Sequence, residues 1–342
     1  MTRENPYNSS YKSTSHLSPF PVANFQVDFN LVRNYNSLDM KNTSLVGLIV
    51  VLLFFSSGCV PDKYKFTGEF GKPGSGKGEF LSGTDMAINK DGDLIICDAG
   101  NSRFQIVSSD DGSPKLVAGE HGTTGYKVQG ISGIGVNPLT SDIWLCDLRG
   151  NKLVKFDKRG NPIAKAVDKM KYPLDCAVDR MGNVYVIMSK QPALYKYDAQ
   201  GAFMETIGGT AKAALIYATS IVIYEDYIYV ADFGGKKVIK LSLKGEFIRE
   251  FDKKGVGKYD EEMKGPSSIF VDNSGNLLIL DLGDIPILIL SPDGEIISRI
   301  GTYGNEKGQF LYPRGIVEKP SGEIIVLDNS RNVALTFKKL VQ

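Results

Sequence analysis

The chain has 342 residues, enough for two ordinary domains or one large all-β domain. Its 40 basic and 39 acidic residues give a formal net charge of +1, so it lacks the overall basic charge typical of proteins that bind nucleic acids. With only two histidines, His16 and His121, one chain cannot build a zinc site with three histidine ligands. The four cysteines contain no C-x-x-C pair, which excludes a zinc ribbon and a thioredoxin-like motif.

An apolar segment follows Met40 and Lys41 and ends at the small residues 56–58, immediately before Cys59. It is shorter than the run of about 20 residues that a membrane-spanning helix needs, and it has the length of the apolar part of a signal peptide. Small residues before a cysteine resemble the signal of bacterial lipoproteins, in which that cysteine is lipidated and becomes the mature N-terminus. A short buried helix and an uncleaved N-terminal anchor are the alternatives.

This signal divides the chain into four parts. Residues 1–39 are rich in Asn, Ser and Tyr without any period, and we interpret them as upstream over-translation or as a disordered segment. Residues 40–58 are the predicted signal peptide, and residues 59–62 are a short tether. Residues 63–342 form the predicted folded domain.

The folded part repeats one unit six times. The segments 266–281 and 313–328 have the same number of residues between an initial Pro and a final Asp, with a glycine-containing turn between two apolar runs. The six units recur with a period of about 46 residues, which is typical of β-propeller blades. They end at positions 98, 147, 188, 232, 281 and 328.

Each unit is predicted to form four antiparallel strands, because short apolar runs alternate with turns rich in Gly, Asn and Asp. The last unit stops after its third strand, residues 333–340, while an additional strand, residues 64–70, precedes the first unit. We therefore predict an all-β fold, a six-bladed β-propeller closed by the N-terminal strand, which completes the last blade and removes two exposed sheet edges.

Four short motifs carry a family resemblance: residues 78–80, 101–103, 308–310 and 313–316. They resemble the NHL repeat found in six-bladed propellers, and the resemblance extends over residues 63–342. Together with the lipidation signal, the chain is similar to bacterial six-bladed propeller lipoproteins. This resemblance implies the fold but no particular activity, because propellers of this kind include binding proteins, lyases and lactonases.

Three patterns that suggest chemistry are interpreted as structural. The glycine-rich segment 71–78 is close to a phosphate-binding loop, but residues 301–308 share its register, so both are predicted to connect blades. Cysteines 97, 146 and 176 are expected to be small buried residues without a disulfide. Carboxylates that end a strand before a turn can accept backbone N–H bonds, and we assign this role to Asp98, Asp147, Asp232, Asp281 and Asp328.

The turns after these aspartates carry a set of basic residues, which we expect to face solvent. They are Arg103, Arg149, Lys152, Lys236, Lys237 and Arg331.

The predicted binding site lies where the innermost strands begin, around the mouth of the central channel. Its predicted ligand-binding residues are Thr84, Asp85, Ser132, Asp175, Thr219, Ser267 and Arg314. Hydroxyls, carboxylates and one guanidinium suit a polar ligand. The alternative is that they only satisfy the backbone of the turns. The position that provides both carboxylates reads Asp85, Gly133, Asp175, Ser220, Ser268 and Gly315 around the ring.

These features favour a non-catalytic binding module in a bacterial envelope, anchored to the membrane only through a lipid on Cys59. The expected partner is an envelope protein or saccharide and not nucleic acid, and the propeller is expected to be monomeric. Val60 follows the cysteine where an aspartate would favour the inner membrane, so we expect the outer membrane. No catalytic residue is assigned and no cofactor is expected.

The alternative is a hydrolase or lyase. The resemblance to propeller lactonases, which hold a divalent cation with carboxylates and amides of the channel, implies Ca²⁺ or a similar cation near Asp85 and Asp175.

Overall fold

A computed structural model describes residues 63–119, 126–163, 167–252 and 263–340. The predicted signal peptide, the tether and Cys59 lie outside these residues. Within them, no helix is both long enough and apolar enough to cross a membrane.

The first half of the described chain contains one N-terminal strand and three blades. The N-terminal strand is β1 (Tyr64–Phe70). Blade 1 contains β2 (Gly83–Ile88), β3 (Leu94–Asp98), β4 (Arg103–Val107) and β5 (Pro114–Ala118), with a short 3-10 helix (Ala99–Asn101) between β3 and β4. Blade 2 contains β6 (Ile131–Val136), β7 (Ile143–Asp147) and β8 (Lys152–Phe156), and where a fourth strand was predicted the described residues form only isolated bridges. Blade 3 contains β9 (Pro173–Val178), β10 (Val184–Met188), β11 (Ala193–Tyr197) and β12 (Phe203–Gly208).

The second half contains three further blades. Blade 4 contains β13 (Ala218–Tyr224), β14 (Tyr227–Asp232), β15 (Lys237–Ser242) and β16 (Phe247–Phe251). Blade 5 contains β17 (Pro266–Val271), β18 (Leu277–Asp281), β19 (Ile287–Leu290) and β20 (Ile296–Ile300). Blade 6 contains β21 (Pro313–Glu318), β22 (Glu323–Asp328) and β23 (Val333–Lys339).

The blades form a closed ring, which confirms the predicted six-bladed propeller. The innermost strands β2, β6, β9, β13, β17 and β21 contact one another in this order, and β21 contacts β2 again. The N-terminal strand β1 pairs antiparallel with β23, from Tyr64 opposite Lys339 to Phe70 opposite Ala334. The first strand therefore completes the last blade, as predicted.

The hydrophobic core lies between blades rather than at the centre of the ring. Six apolar clusters fill the described protein, one between each pair of neighbouring blades. The second strand of a blade packs on both faces and is therefore apolar almost throughout, as in β3 and β10, where every residue is buried. The channel is thus lined mainly by the innermost strands.

The two glycine-rich segments are blade connections with the same hydrogen bonds, as predicted. The amide of Phe80 donates to the carbonyl of Lys72 at 2.9 Å, and the amide of Phe310 donates to that of Thr302 at 2.9 Å. Both phenylalanine side chains are fully buried. The glycines allow these tight turns. The buried phenylalanine of each connection packs between two blades.

The strand-ending aspartates are structural, as predicted. Each accepts a backbone N–H from the connection that enters its own blade, at 2.6 to 2.9 Å. The donors for Asp98, Asp147, Asp232, Asp281 and Asp328 are the amides of Leu81, Gly130, Tyr217, Gly265 and Leu311. These carboxylates fasten the inner strands at the end where the channel mouth lies.

The expectation that the basic residues face solvent is wrong for Arg103. This side chain is only 4% exposed. Its Nε donates to Asp98 at 2.7 Å, and its guanidinium also donates to the carbonyls of Ser75 and Gly76. Arg103 therefore holds a blade connection in place. The three cysteines 97, 146 and 176 are free and buried, as expected.

Candidate functional site

All seven predicted channel-mouth residues line one cavity. This upper cavity has a volume of about 260 Å³ and lies where the innermost strands begin. The residues come together because each is the second or third residue of an innermost strand. The structure also adds lining residues that the prediction omitted: Ile131, Leu148, Leu174, Tyr217, Ser220 and Ser268. The two serines occupy the repeat position shared with Asp85 and Asp175, but they were not among the predicted ligand-binding residues.

The hydroxyl groups of the upper cavity are fixed by neighbouring blades. Thr84 donates to the carbonyl of Ile131 at 3.0 Å, and Ser132 donates to that of Pro173 at 2.8 Å. Thr219 donates in the same way to Pro266 at 2.9 Å. Each acceptor is the first residue of the next innermost strand. The hydroxyl hydrogens therefore serve the fold, while the fixed oxygens remain able to accept hydrogen bonds from a ligand.

Asp85 and Asp175 also connect neighbouring blades. The carboxyl oxygens of Asp85 accept the amides of Met86 at 2.9 Å and Ile134 at 3.0 Å. Those of Asp175 accept the amides of Cys176 at 2.8 Å and Ile221 at 2.9 Å. In both cases one amide belongs to the same strand and the other to the innermost strand of the next blade. Both aspartates therefore hold two innermost strands together.

The two carboxyl groups face each other across the innermost strand of blade 2, and each affects the pKa of the other. Gly133 lies between them in the ring, and a Cβ at this position would lie 2.5 Å from Oδ1 of Asp175. The glycine therefore leaves space for the carboxyl groups of Asp85 and Asp175, which we call the acid pair. Ser220 forms a further hydrogen bond with Asp175.

Burial is the largest cause of the raised pKa of both carboxyl groups. It raises the pKa of Asp175 to about 7, although backbone amides oppose the shift. The pKa of Asp85 lies well above its ordinary value because of burial and of the facing charge of Asp175. A carboxyl group that titrates near neutrality can act as a general acid or base.

Two cysteines near the acid pair remain thiols. Burial raises the pKa of Cys97 and Cys176, and the charges of both aspartates raise these pKa values further. A nucleophilic cysteine needs a lowered pKa, so these thiols do not have that character.

The donor atoms around the acid pair suit a hard cation only in part. Ca²⁺ takes 6–8 oxygen ligands. Here two carboxyl groups and the hydroxyls of Ser220 and Ser268 line the channel together, and all four carboxyl oxygens already accept backbone amides. No group of three or more metal-binding His, Cys, Asp or Glu side chains occurs among the described residues. A bound cation would therefore keep several water ligands.

Arg314 gives the upper cavity its positive charge. It is the only basic residue among the described residues that line this cavity. Its guanidinium lies over the ring of Tyr312, with 4.4 Å to the ring centroid. The aromatic ring holds the guanidinium by a cation–π contact.

The fold and this channel define the chain as a six-bladed β-propeller with a polar channel mouth. Comparison with known protein families and with curated protein sequences finds no match.

Solved structures with similar folds exist. A streptogramin B lyase is 14% identical with a TM-score of 0.56, over 81% of this chain and 98% of the other. A gluconolactonase from Xanthomonas campestris is 13% identical with a TM-score of 0.57, over 77% and 88%. A protein of unknown function from Bacteroides thetaiotaomicron is 16% identical with a TM-score of 0.60, over 80% and 75%. At these identities the likeness shows the fold alone.

Proposed function

We propose that this protein is a non-catalytic binding module of the NHL-repeat type, anchored by a lipid on Cys59 to a bacterial envelope, with the outer membrane as its location. Its upper cavity and the surrounding face bind an envelope protein or saccharide. The observation that carries this proposal is the upper cavity itself, where hydroxyls, carboxyls and one guanidinium lie around about 260 Å³.

The upper cavity is suited to binding because its polar groups are fixed before a ligand arrives. The oxygens of Thr84, Ser132 and Thr219 are held by their bonds to neighbouring blades. Preorganised groups lose little conformational entropy on binding. Fixed acceptors beside a guanidinium match the hydroxyls of a saccharide or the backbone and side chains of a peptide.

Capture of the partner tests this function. The tagged full-length protein is crosslinked mildly in its own envelope and purified, and the captured material is identified by mass spectrometry. We expect a stoichiometric protein or saccharide, and we expect Arg314→Ala to lose most of it. Arg159→Ala, which changes an exposed arginine away from the channel, is the matched control. Equal capture by the two variants would contradict the role of the upper cavity.

The lipid anchor has a separate test. Cys59→Ala removes the thiol that receives the lipid, so the variant is expected in the soluble fraction or as an unprocessed precursor. Fractionation and intact-mass measurement of the mature chain report both outcomes. Normal membrane anchoring of the variant would refute lipidation at this residue.

The acid pair favours a second candidate function, a hydrolase or lyase that uses Ca²⁺ or another divalent cation. Two facing carboxyl groups with raised pKa values are typical of acid–base sites, and solved structures of similar fold include a lyase and a gluconolactonase.

The metal content of the purified protein separates the two candidates. Under the binding function we expect no stoichiometric metal and no effect of a chelator on partner capture. One bound metal ion per chain, together with turnover of a lactone that a chelator stops, would contradict the binding function and support the second candidate.

A further inference from the structure

The channel holds a second cavity on the other side of the acid pair. This lower cavity has a volume of about 270 Å³ and lies towards the ends of the innermost strands. It shares Asp85, Asp175, Ser220 and Ser268 with the upper cavity. These four residues therefore form a polar layer across the channel, and each of the two cavities lies on one side of it.

The rest of the lower cavity is apolar. Its walls include residues 86–88, 134–136, 221–223, 269–271 and 316–317. An apolar wall favours an apolar ligand body, and the few polar groups at one end fix its orientation.

The titratable carboxyl groups that line the lower cavity face no basic group among the described lining residues. None of the described residues that line it is basic, while two aspartates stand at its polar end. Arg314 lines the upper cavity only. Charges act more strongly beside apolar walls than in open water, because the walls screen them less. A cationic head group is therefore favoured at the polar end and an anionic one is disfavoured.

Ser268 is the one member of the polar layer without a partner among the described residues. Its side chain is buried, with 5% of its surface exposed, and lines both cavities. The hydroxyls of Thr219 and Ser267 donate to backbone carbonyls, and Ser220 bonds to Asp175, but no such bond uses the hydroxyl of Ser268. The hydroxyl of Ser268 lines both cavities and is therefore available to a ligand.

We propose that the lower cavity binds a small primary amine. Its alkyl or aryl body lies along the apolar wall, and its ammonium group donates hydrogen bonds to the carboxyl oxygens of Asp85 and Asp175 and to the hydroxyl oxygen of Ser268. Three N–H donors match these three acceptors. The body of the amine lies on the opposite side of the polar layer from the upper cavity, and the two cavities share only the residues of that layer.

Three probes of equal length test the head group. Hexylamine, hexan-1-ol and hexanoate are titrated into the full-length protein at neutral pH by calorimetry. We expect saturable binding of one hexylammonium, binding of hexanol that is weaker by about tenfold or more because a charged hydrogen bond is lost, and none of hexanoate. Equal affinity of the amine and the alcohol, or no binding of the amine, would overturn the proposal.

Substitutions test the site. Ser268→Met fills the polar layer and is expected to abolish amine binding, and Asp85→Asn is expected to weaken it by about tenfold. Asp293→Asn, the same change at an exposed aspartate, is the control and should bind as the wild type does. Unfolding temperatures show which variants are folded. Ser268→Met remains informative if Asp85→Asn does not fold, and unchanged binding by a folded Ser268→Met would overturn the site.

Discussion

At the scale of single residues, the acid pair combines a structural and a chemical property. Asp85 and Asp175 each hold two innermost strands through backbone amides. The same burial that makes these bonds strong raises the pKa of both carboxyl groups. Because these pKa values are raised in the folded protein, its stability should depend on pH.

We predict that the acid pair makes the protein less stable as pH rises. The folded pair keeps protons that the unfolded chain releases above the ordinary aspartate pKa of 3.8, while the pKa of folded Asp175 is about 7. Between these values the free energy of unfolding should fall with pH, by up to about 1.4 kcal/mol per pH unit for each retained proton. Asp175→Asn removes one such group and should make the decline shallower.

Urea unfolding at pH 4, 5, 6 and 7 measures this slope. Asp293→Asn, at an exposed position, should keep the wild-type slope. If the curves of Asp175→Asn and the wild type run parallel across this range, the pKa of Asp175 is not raised in the folded protein.

Sequence reasoning identified some residue roles and not others, for a physical reason. The role of Asp98 follows from local pattern, because a carboxylate before a turn finds backbone amides nearby. Asp85 and Asp175 come from alternate blades, and the approach of their carboxyl groups depends on the diameter of the closed ring. No local pattern contains that distance. Burial of Arg103 was missed for the same reason, since its partners lie in another connection.

At the scale of elements, the innermost strands differ at one repeated position. Asp85 and Asp175 occupy it in β2 and β9, and glycine occupies it in β6. A Cβ at Gly133 would lie 2.5 Å from the carbonyl oxygen of Leu174 and 2.6 Å from the Cα of Asp175. The backbones of β6 and β9 therefore approach too closely for any side chain here.

We predict that Gly133→Ala disturbs the channel. Two backbone atoms would have to move, so the substitution should lower the free energy of unfolding by about 1–3 kcal/mol or more and displace Asp175 from Asp85. Gly68→Ala is the matched control, because nothing lies within 4 Å of a Cβ there. Chemical denaturation measures both variants, and equal stability of the two would contradict the close packing of β6 and β9.

The strands themselves were largely predictable, because hairpin turns and apolar runs are local signals. The repeat then fixed which strand is innermost in each blade, and this placed all seven predicted residues in one cavity. The lower cavity could not be predicted in this way. Its walls come from residues that look like ordinary buried strand positions, and only the closed ring shows that a channel separates them.

At the scale of the whole molecule, closure depends on a strand that is far from its partner in sequence. β1 pairs with β23 along its length. Phe66 contacts Phe337 edge to face with 5.8 Å between ring centroids, and Glu69 forms an ion pair with Arg331 at 2.9 Å. The count of strands in the repeats was enough to predict this pairing. The last unit lacked its fourth strand, and the N-terminal strand belonged to no unit.

We predict that removing β1 opens the ring. A chain that begins at Gly71 loses the pairing with β23 and the packing of two phenylalanines, so its free energy of unfolding should fall by more than about 2 kcal/mol. The exposed edge of β23 should also promote association between chains. A chain that begins at Lys63 keeps β1 and is the matched control. Urea unfolding and light scattering compare the two, and a monomeric shorter chain with an unchanged midpoint would show that β1 does not hold the ring closed.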